Sequence, residues 1–413
     1  MNASALSPRL SHQARRSFAY NESMAKKLKI LEVCNLDRFA ASPYMLPLFG
    51  GLAEAGHEVH VACHVTSFGD ILREAGLEVH DLPLTRRITP LEDLKAYRAL
   101  KSLLREGRYD VVHTHNPKDG ILGRTAAWKL GVPAVIHTCN GFYFSHRSSR
   151  LKRWLVLQTE RYAGRHCHLV IFVNGDDLAL AAARKVVGTR KARLIYNGVD
   201  LERFRPGDDG GLREELGIPG GAVVLGYIGE IRRERNLDTL VEAAARLLPR
   251  HPDLYLVFAG DSSMEPQEPE RLRGLASRAG RVDGAETGGG LSDRLLFTGY
   301  RHDPERFYRL FDVYVLPSTR EGFGVTLIEG MATGIPVVAC RVRGPREIID
   351  DGVNGILVAD RDPAALADAV AFCLEAPEAV GNYTRRAREK VEREFDHAIM
   401  RSSLYEEYRR LTS

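Results

Sequence analysis

From residue 28 to residue 196 the chain repeats one unit: a short apolar run, a turn, then a stretch with helical spacing. The apolar runs fall at 28–34, 58–63, 79–84, 110–113, 134–138, 169–173 and 193–196. Continuous apolar runs of this length suit strands buried on both faces, and strands alternating with helices build a parallel sheet covered on both sides. In such a sheet ligands belong at the carboxyl ends of the strands. The repeat pauses at Pro206-Gly-Asp-Asp-Gly-Gly211, which is hinge material. It resumes with a strand at 223–228, a helix at 237–248 with apolar residues at 237, 240, 241, 244, 247 and 248, and a strand at 255–259. A chain of 413 residues exceeds one ordinary core, so the reading is α/β with two parallel-sheet domains at 25–205 and 206–395. A terminal helix at 396–413 carries Met400, Leu404, Tyr408 and Leu411 on one face. Residues 1–24 are polar and aperiodic, and are expected to be a disordered tail ahead of a natural start at Met24.

Composition excludes several classes. A net charge of +4, with 44% hydrophobic and 27% charged residues, is ordinary for a soluble protein and gives no general sign of nucleic-acid binding. No apolar run reaches the roughly 18 residues needed to span a bilayer, and the first 25 residues lack a signal core. A cytoplasmic protein is expected. The six cysteines, Cys34, Cys63, Cys139, Cys167, Cys340 and Cys373, form no CxxC pair and read as reduced, buried thiols. No GxGxxG follows any strand, which argues against a dehydrogenase.

The chemistry concentrates in residues 318–340. A buried strand at 313–316 is closed by Pro317; Gly322 and Gly324 follow with Phe323 between them, then a helix opening at Val325 and Thr326, then a second strand. Glycine permits backbone angles that turn amides toward a ligand, and a helix amino end favours an anion. Glu321 and Glu329 bracket this turn. Carboxylates beside a phosphate serve it best by accepting hydrogen bonds from neutral sugar hydroxyls. Sugar, phosphate and a second polyol together spell a nucleotide sugar.

At Glu321, Phe323, Gly324, Glu329, Met331, Ala332, Gly334 and Pro336 through Ala339 the chain resembles the retaining glycosyltransferases of family 4. The resemblance implies a GT-B fold, two Rossmann-like domains facing across a cleft with the terminal helix at 396–413 crossing back to the first, and extends through Asn197–Phe204 and Tyr109–His115. It implies that Glu321 and the loop amides hold the donor sugar and diphosphate while Glu329 binds ribose. The family places an arginine directly after Gly229 and a lysine five residues later, both on the diphosphate. Here those positions are Glu230 and Arg235, with Arg232 and Arg233 as alternative replacements. By resemblance Tyr300 or Arg301 borders the nucleobase. No Asp-any-Asp metal motif stands out, so the expectation is no cofactor and no metal, with a UDP-sugar as co-substrate.

In the first domain, Ser42 and Tyr44 follow the first strand, His115 and Asn116 the fourth, and Asn140 and Phe142 the fifth. These are the expected acceptor-side residues. Asn140 stands where many family members carry a histidine on the donor sugar, and is counted with Glu321 and Arg235 as a catalytic candidate. Residues 146–161 join a basic cluster, including Arg147, Arg150, Lys152 and Arg153, to an apolar stretch with Trp154. Such a segment suits either peripheral contact with an anionic membrane or an ordinary helix facing the core. The first-domain resemblance runs to bacterial exopolysaccharide and capsule glycosyltransferases, implying a saccharide or lipid-diphosphate-linked acceptor. A related sugar-nucleotide epimerase or an inactive sugar-nucleotide-binding protein are the alternatives.

Overall fold

The computed structural model describes residues 26–85, 89–144, 148–279 and 290–413. The tail at 1–24 and Arg147 of the basic cluster therefore lie outside the described residues. The chain divides into two compact units, one formed by Met1–Gly198 with His397–Ser413 and the other by Val199–Asp396. The first boundary thus falls at 198, ahead of 205.

The first unit holds seven strands: β1 (Lys29–Leu36), β2 (Glu58–His64), β3 (Glu78–Asp81), β4 (Val111–Thr114), β5 (Ala134–Cys139), β6 (Leu169–Phe172) and β7 (Ala192–Leu194). They form one parallel sheet in the order β3-β2-β1-β4-β5-β6-β7. The central strand β1 shows why an unbroken apolar run is needed. Successive side chains point to opposite faces. Ile30 and Cys34 enter one core with Val61, Phe49 and Ile171, whereas Leu31 and Val33 enter the other with Leu100, Leu104, Phe142 and Phe172. The terminal helix His397–Thr412 completes the first of these cores with Met400, Leu404, Tyr405 and Tyr408. Fully burying each such side chain stabilises the fold by about 1.5–3 kcal/mol.

The second unit repeats the plan with β8 (Val224–Ile228), β9 (Tyr255–Ala259), β10 (Leu295–Phe297), β11 (Val313–Leu316), β12 (Val337–Cys340) and β13 (Ile356–Val358). Their order is β10-β9-β8-β11-β12-β13, again parallel. The helix Leu237–Leu247 buries Leu237, Leu240, Val241, Ala244 and Leu247, the face its spacing predicts. All six cysteines are free and buried.

One helix breaks the usual rule. Of Arg150–Gly164, only Glu160, Ala163 and Gly164 are buried. Val156 and Leu157 reach the core, but Leu151 is 66% exposed and Trp154 55%, with Leu155 and Tyr162 also exposed. Among the described residues no helix is long and apolar enough to cross a membrane.

Candidate active site

In the second unit the loops after β8 and β11 meet at their carboxyl ends. Asn236, in the left-handed conformation at φ 58°, opens the helix Leu237–Leu247 and donates its amide to Pro317 O at 2.9 Å. That bond brings the Arg235 segment against the loop that begins at Ser318. Arg235 Nη1 then donates to Glu321 Oε1 at 2.5 Å. The Glu321 charge raises the guanidinium pKa further above its already high value, so Arg235 is permanently cationic. Its Nε is buried with no hydrogen-bond acceptor. A buried charge with an unused donor is costly unless something completes it, which marks the spot for an anion. Ser318 Oγ, fully buried, also lacks a partner here.

Around this pair charges alternate. Glu230 Oε2 lies 3.3 Å from Arg232 Nε and 4.0 Å from Arg235 Nη2, and Glu234 Oε2 lies 3.3 Å from Arg232 Nη2. Arg233 turns away: its Nε donates to Glu268 Oε1 at 3.1 Å and its side chain is 70% exposed. Arg232 is therefore the neighbour of Arg235. Gly229 reaches its φ of 150° packed so tightly on Gly260 that a side chain at Gly260 would meet Gly229 O at 1.8 Å. That contact explains the glycine at both strand ends.

The glycine loop after β11 has the form the sequence implies. Gly324, at φ 105°, stands at the amino end of the helix Val325–Thr333, whose first turn holds no acidic residue. The leading amides of a helix have no partner within it, so Val325 and Thr326 offer donors toward the loop. Gly322 is half-buried, and Phe323 is buried with its ring edge-on to Phe395 at 5.4 Å. Gly344 must be glycine, since a Cβ would stand 2.1 Å from Phe323 O.

Glu329 lies one turn into that helix and is 4% exposed. Tyr308 OH is 2.7 Å from Glu329 Oε2 and 2.9 Å from Thr326 O. Burial pushes the Glu329 carboxyl from 4.5 to about 7, against the opposing effects of Tyr308 and Arg203. A phenol has one proton for two oxygen neighbours. Tyr308 gives that proton to Glu329 Oε2 or to Thr326 O, and its bond to the carboxylate is what opposes the effect of burial. At the end of β10, Tyr300 stacks edge-on with His302 at 5.0 Å, whereas Arg301 is taken up by Asp303 and Glu215. Arg301 is thus occupied by carboxylates.

In the first unit a buried polar network underlies the carboxyl ends of β1, β4 and β5. His115 Nε2 donates to Glu32 Oε2 at 2.6 Å, and Tyr408 OH donates to Glu32 Oε1 at 3.0 Å. His113 Nδ1 lies 2.6 Å from Tyr408 OH, and His113 Nε2 lies 2.7 Å from Thr138 Oγ1. Because Tyr408 gives its proton to Glu32, His113 donates through Nδ1 and accepts from Thr138 through Nε2. Burial, with His115 and His137 nearby, keeps His113 well below its usual pKa and so neutral. Glu32, His113 and His115 are each at most 2% exposed, and the trio forms a buried hydrogen-bonded core.

Above it, Asn140 donates to His115 O at 3.0 Å and Asn116 Oδ1 accepts from Asn35 N at 2.9 Å. Tyr44 stands edge-on to Phe39, 6.0 Å away, and Phe39 is 5.8 Å from His115. Ser42 donates its hydroxyl to Phe39 O, closing the turn. Tyr44, Asn116 and Asn140 thus gather at one sheet edge. Two acceptor-side expectations need correction. Phe142 is 4% exposed and stacked on Phe144 in the core, because its backbone N–H is drawn to Asp177 and the ring turns inward. His115 is 2% exposed, held inward by Glu32, so it positions the loop rather than meeting a ligand. A cavity of about 20 Å³ lined in part by His115, Asn140, Asn197 and Met400 lies beneath, room for one water.

Comparison with known proteins agrees with this geometry. Residues 209–390 match the family "Glycosyl transferases group 1", and residues 40–198 match "Glycosyl transferase 4-like domain". EpsD of Bacillus subtilis (strain 168) is 33% identical over 85% of this chain and 88% of its own length. The chain belongs to glycosyltransferase family 4. Another relative, the Escherichia coli UDP-Gal:alpha-D-GlcNAc-diphosphoundecaprenol alpha-1,3-galactosyltransferase, is 31% identical over 67% of this glycosyltransferase and 69% of its own length. Anabaena Alr3699/HepE, in complex with UDP and glucose, superposes with a TM-score of 0.78 at 20% identity, over 92% of this chain and 99% of its own. That likeness establishes the GT-B fold. Sequence reasoning missed Glu32, Tyr408, Tyr308 and Gly260, because each acts through contacts between elements far apart in the chain.

Proposed function

We propose that this glycosyltransferase moves a sugar from a UDP-sugar to a saccharide carried on a lipid diphosphate, retaining the anomeric configuration and using no metal. The observation that carries the reading is Arg235, paired with Glu321 beside a glycine-capped helix and left with an unused buried donor. A nucleoside diphosphate leaves readily once its charge is met by amides and guanidinium groups, without a strong acid. Arg235, Arg232 and the amides after Gly324 supply that stabilisation. Glu321 orients donor sugar hydroxyls and Glu329 accepts from the ribose. The acceptor hydroxyl attacks the anomeric carbon on the face the diphosphate leaves. The bond from that carbon to the β-phosphate oxygen breaks, and the acceptor proton passes to a phosphate oxygen of the departing UDP. Tyr44, Asn116 and Asn140 belong to the acceptor side.

The name of one relative supports the substrate classes: the E. coli protein is named for UDP-Gal and a GlcNAc-diphosphoundecaprenol. Cell-surface polysaccharide synthesis at the inner face of the cytoplasmic membrane follows from that acceptor. Neither an epimerase nor an inactive binder accounts as well for transferase relatives that share both units.

A panel of UDP-, GDP- and ADP-sugars should give thermal stabilisation with UDP-sugars alone. Release of UDP should require a lipid-diphosphate saccharide and survive exhaustive chelation, and the product should show the donor's anomeric configuration by NMR. Glu321→Ala and Glu329→Ala should each abolish transfer while keeping the fold, since hydrogen bonds to charged groups contribute about 1.5–3 kcal/mol each. Full activity in either variant would remove the donor-site assignment.

A further inference from the structure

At the opposite end of the first sheet, where the strands begin, a second cluster of chemistry-bearing side chains has no part in sugar transfer. Glu58 opens β2 and Glu78 opens the edge strand β3. His60 pairs in register with Glu78, and His80 stands two residues further along β3, so all three point to one face. His60 Nδ1 lies 2.8 Å from His80 Nε2, and the rings stack with 25° between their planes. Glu78 Oε1 is 3.5 Å from His80 Nε2, and Glu78 Oε2 is 3.2 Å from His60 Nε2. One donor atom from each of His60, Glu78 and His80 falls within 4.8 Å of the others.

Hydrogen-bond chemistry fixes which nitrogens are available. His60 Nε2 faces Glu58 Oε1 at 3.0 Å as well as Glu78, and both carboxylate oxygens only accept. The Nε2 atom therefore carries a proton, and the lone pair that would take a metal lies at Nδ1. Two groups converge on that lone pair: His80 Nε2 and Tyr109 OH, the latter at 2.9 Å. Glu58 is held by Lys29 Nζ at 2.6 Å, which leaves it a fixed orienting carboxylate for His60 rather than a free ligand. Glu78 remains at the mouth, its side chain 61% exposed. The backbone is shaped to deliver Tyr109. Arg108 adopts a left-handed φ of 49° at the end of the helix Pro90–Gly107, and a Cβ at Gly107 would stand 2.2 Å from the Tyr109 ring.

We propose that His60, His80 and Glu78 form a binding site for one transition-metal cation of the zinc class, with Glu58 and Tyr109 orienting the ligands. Two imidazoles and a carboxylate with an open position suit such a borderline ion. Zinc holds nitrogens at about 2.0–2.1 Å, which places two tetrahedral ligands about 3.3 Å apart, so the rings need to separate by only ~0.5 Å. Glu58 accepting from the far nitrogen of a ligating histidine is the usual outer support of such a site. The ion fastens the edge strand β3 to β2, which otherwise meets the sheet on one side only, and it is structural rather than catalytic.

The test uses the full chain, stripped with a chelator and returned to chelator-free buffer. Zn(II) titrated calorimetrically should bind one equivalent per chain and raise the melting temperature, with chelator reversing the rise. Co(II) should give the visible absorption of a low-coordinate histidine site. His60 is buried and its loss endangers the fold, so the decisive variant is the part-exposed His80→Gln, with His166→Gln as the control. His80→Gln should lower Zn(II) affinity by at least about tenfold, with circular dichroism and sugar transfer unchanged. His166→Gln should bind as the parent does. A parent that takes no Zn(II), or a His80→Gln variant that binds as tightly as the parent, overturns the site.

Discussion

Glu329 is a carboxyl whose surroundings prefer its acid form. Its pKa rises from 4.5 to about 7 in the folded chain, so between those values the folded state binds more protons than the unfolded one. Stability due to this group is full below about pH 4.5 and is lost as pH climbs through about 7, a difference of roughly 3 kcal/mol. Glu329→Gln keeps the shape without the ionisation. Its melting temperature relative to the parent should rise from pH 5 to pH 8, and an unchanged difference would refute the assignment. Donor affinity should move the other way, strengthening toward pH 8, because a carboxylate accepts ribose hydroxyls better than an acid does. The sequence singled out Glu321 and Glu329 by their local spacing around a glycine loop, and Arg235 by resemblance alone, since it stands 86 residues from Glu321. It left Arg232 and Arg233 unseparated, since the choice depends on Glu268, more than thirty residues away. It also could not show that Phe142 turns inward, a matter decided by Asp177.

Among the elements, the strands were legible nearly to the residue, because burial on both faces forces an unbroken apolar run. The expectation for 169–173 meets β6 at Leu169–Phe172, and that for 255–259 meets β9 exactly where Tyr255–Ala259 stands. The short strand β13 was not read, for only three residues pair there with β12. The helix Arg150–Gly164 was open between two readings, since sequence spacing cannot say which face a helix buries. In the fold Val156 and Leu157 pack on the core, whereas Leu151, Trp154 and Leu155 are exposed, as are Arg150 and Lys152. Lys152 lies over the Tyr143 ring and Arg153 over Phe144, so the cations lie along an aromatic surface. An exposed apolar strip bordered by cations suits an anionic membrane, where each cation near the headgroups contributes about 1 kcal/mol. The protein should co-sediment with anionic vesicles and not neutral ones, less so as salt is raised. Replacing Arg150, Lys152 and Arg153 with Ser should release it while leaving thermal stabilisation by the UDP-sugar unchanged. Equal binding by the triple variant would point to a soluble acceptor.

For the whole molecule, the two-unit plan followed from length, the hinge at 206–211 and the resumption of alternation. By resemblance the terminal helix belongs to the first unit, as it does in the fold; what the sequence could not show is the buried hydrogen bond that ties it there. Tyr408 hydrogen-bonds Glu32, a residue at the start of the chain, and Met400 and Leu404 lie in the core beneath β1. The second unit, by contrast, closes on itself: Val199 N donates to Phe395 O at 2.8 Å, and Val199 bridges Asp396. On the ribosome this reverses the usual order, in which the amino-terminal domain folds first. A nascent chain stalled once Asp396 has emerged holds every residue of the second unit, yet its first unit still lacks a core wall and leaves Glu32 without the Tyr408 hydroxyl. Pulse proteolysis of such stalled chains should spare a fragment spanning 199–396 and digest the residues before it, with protection of the amino-terminal part appearing only after the last helix is released. Synthesis would then deliver the second unit first, and the first unit only once the helix His397–Thr412 has emerged.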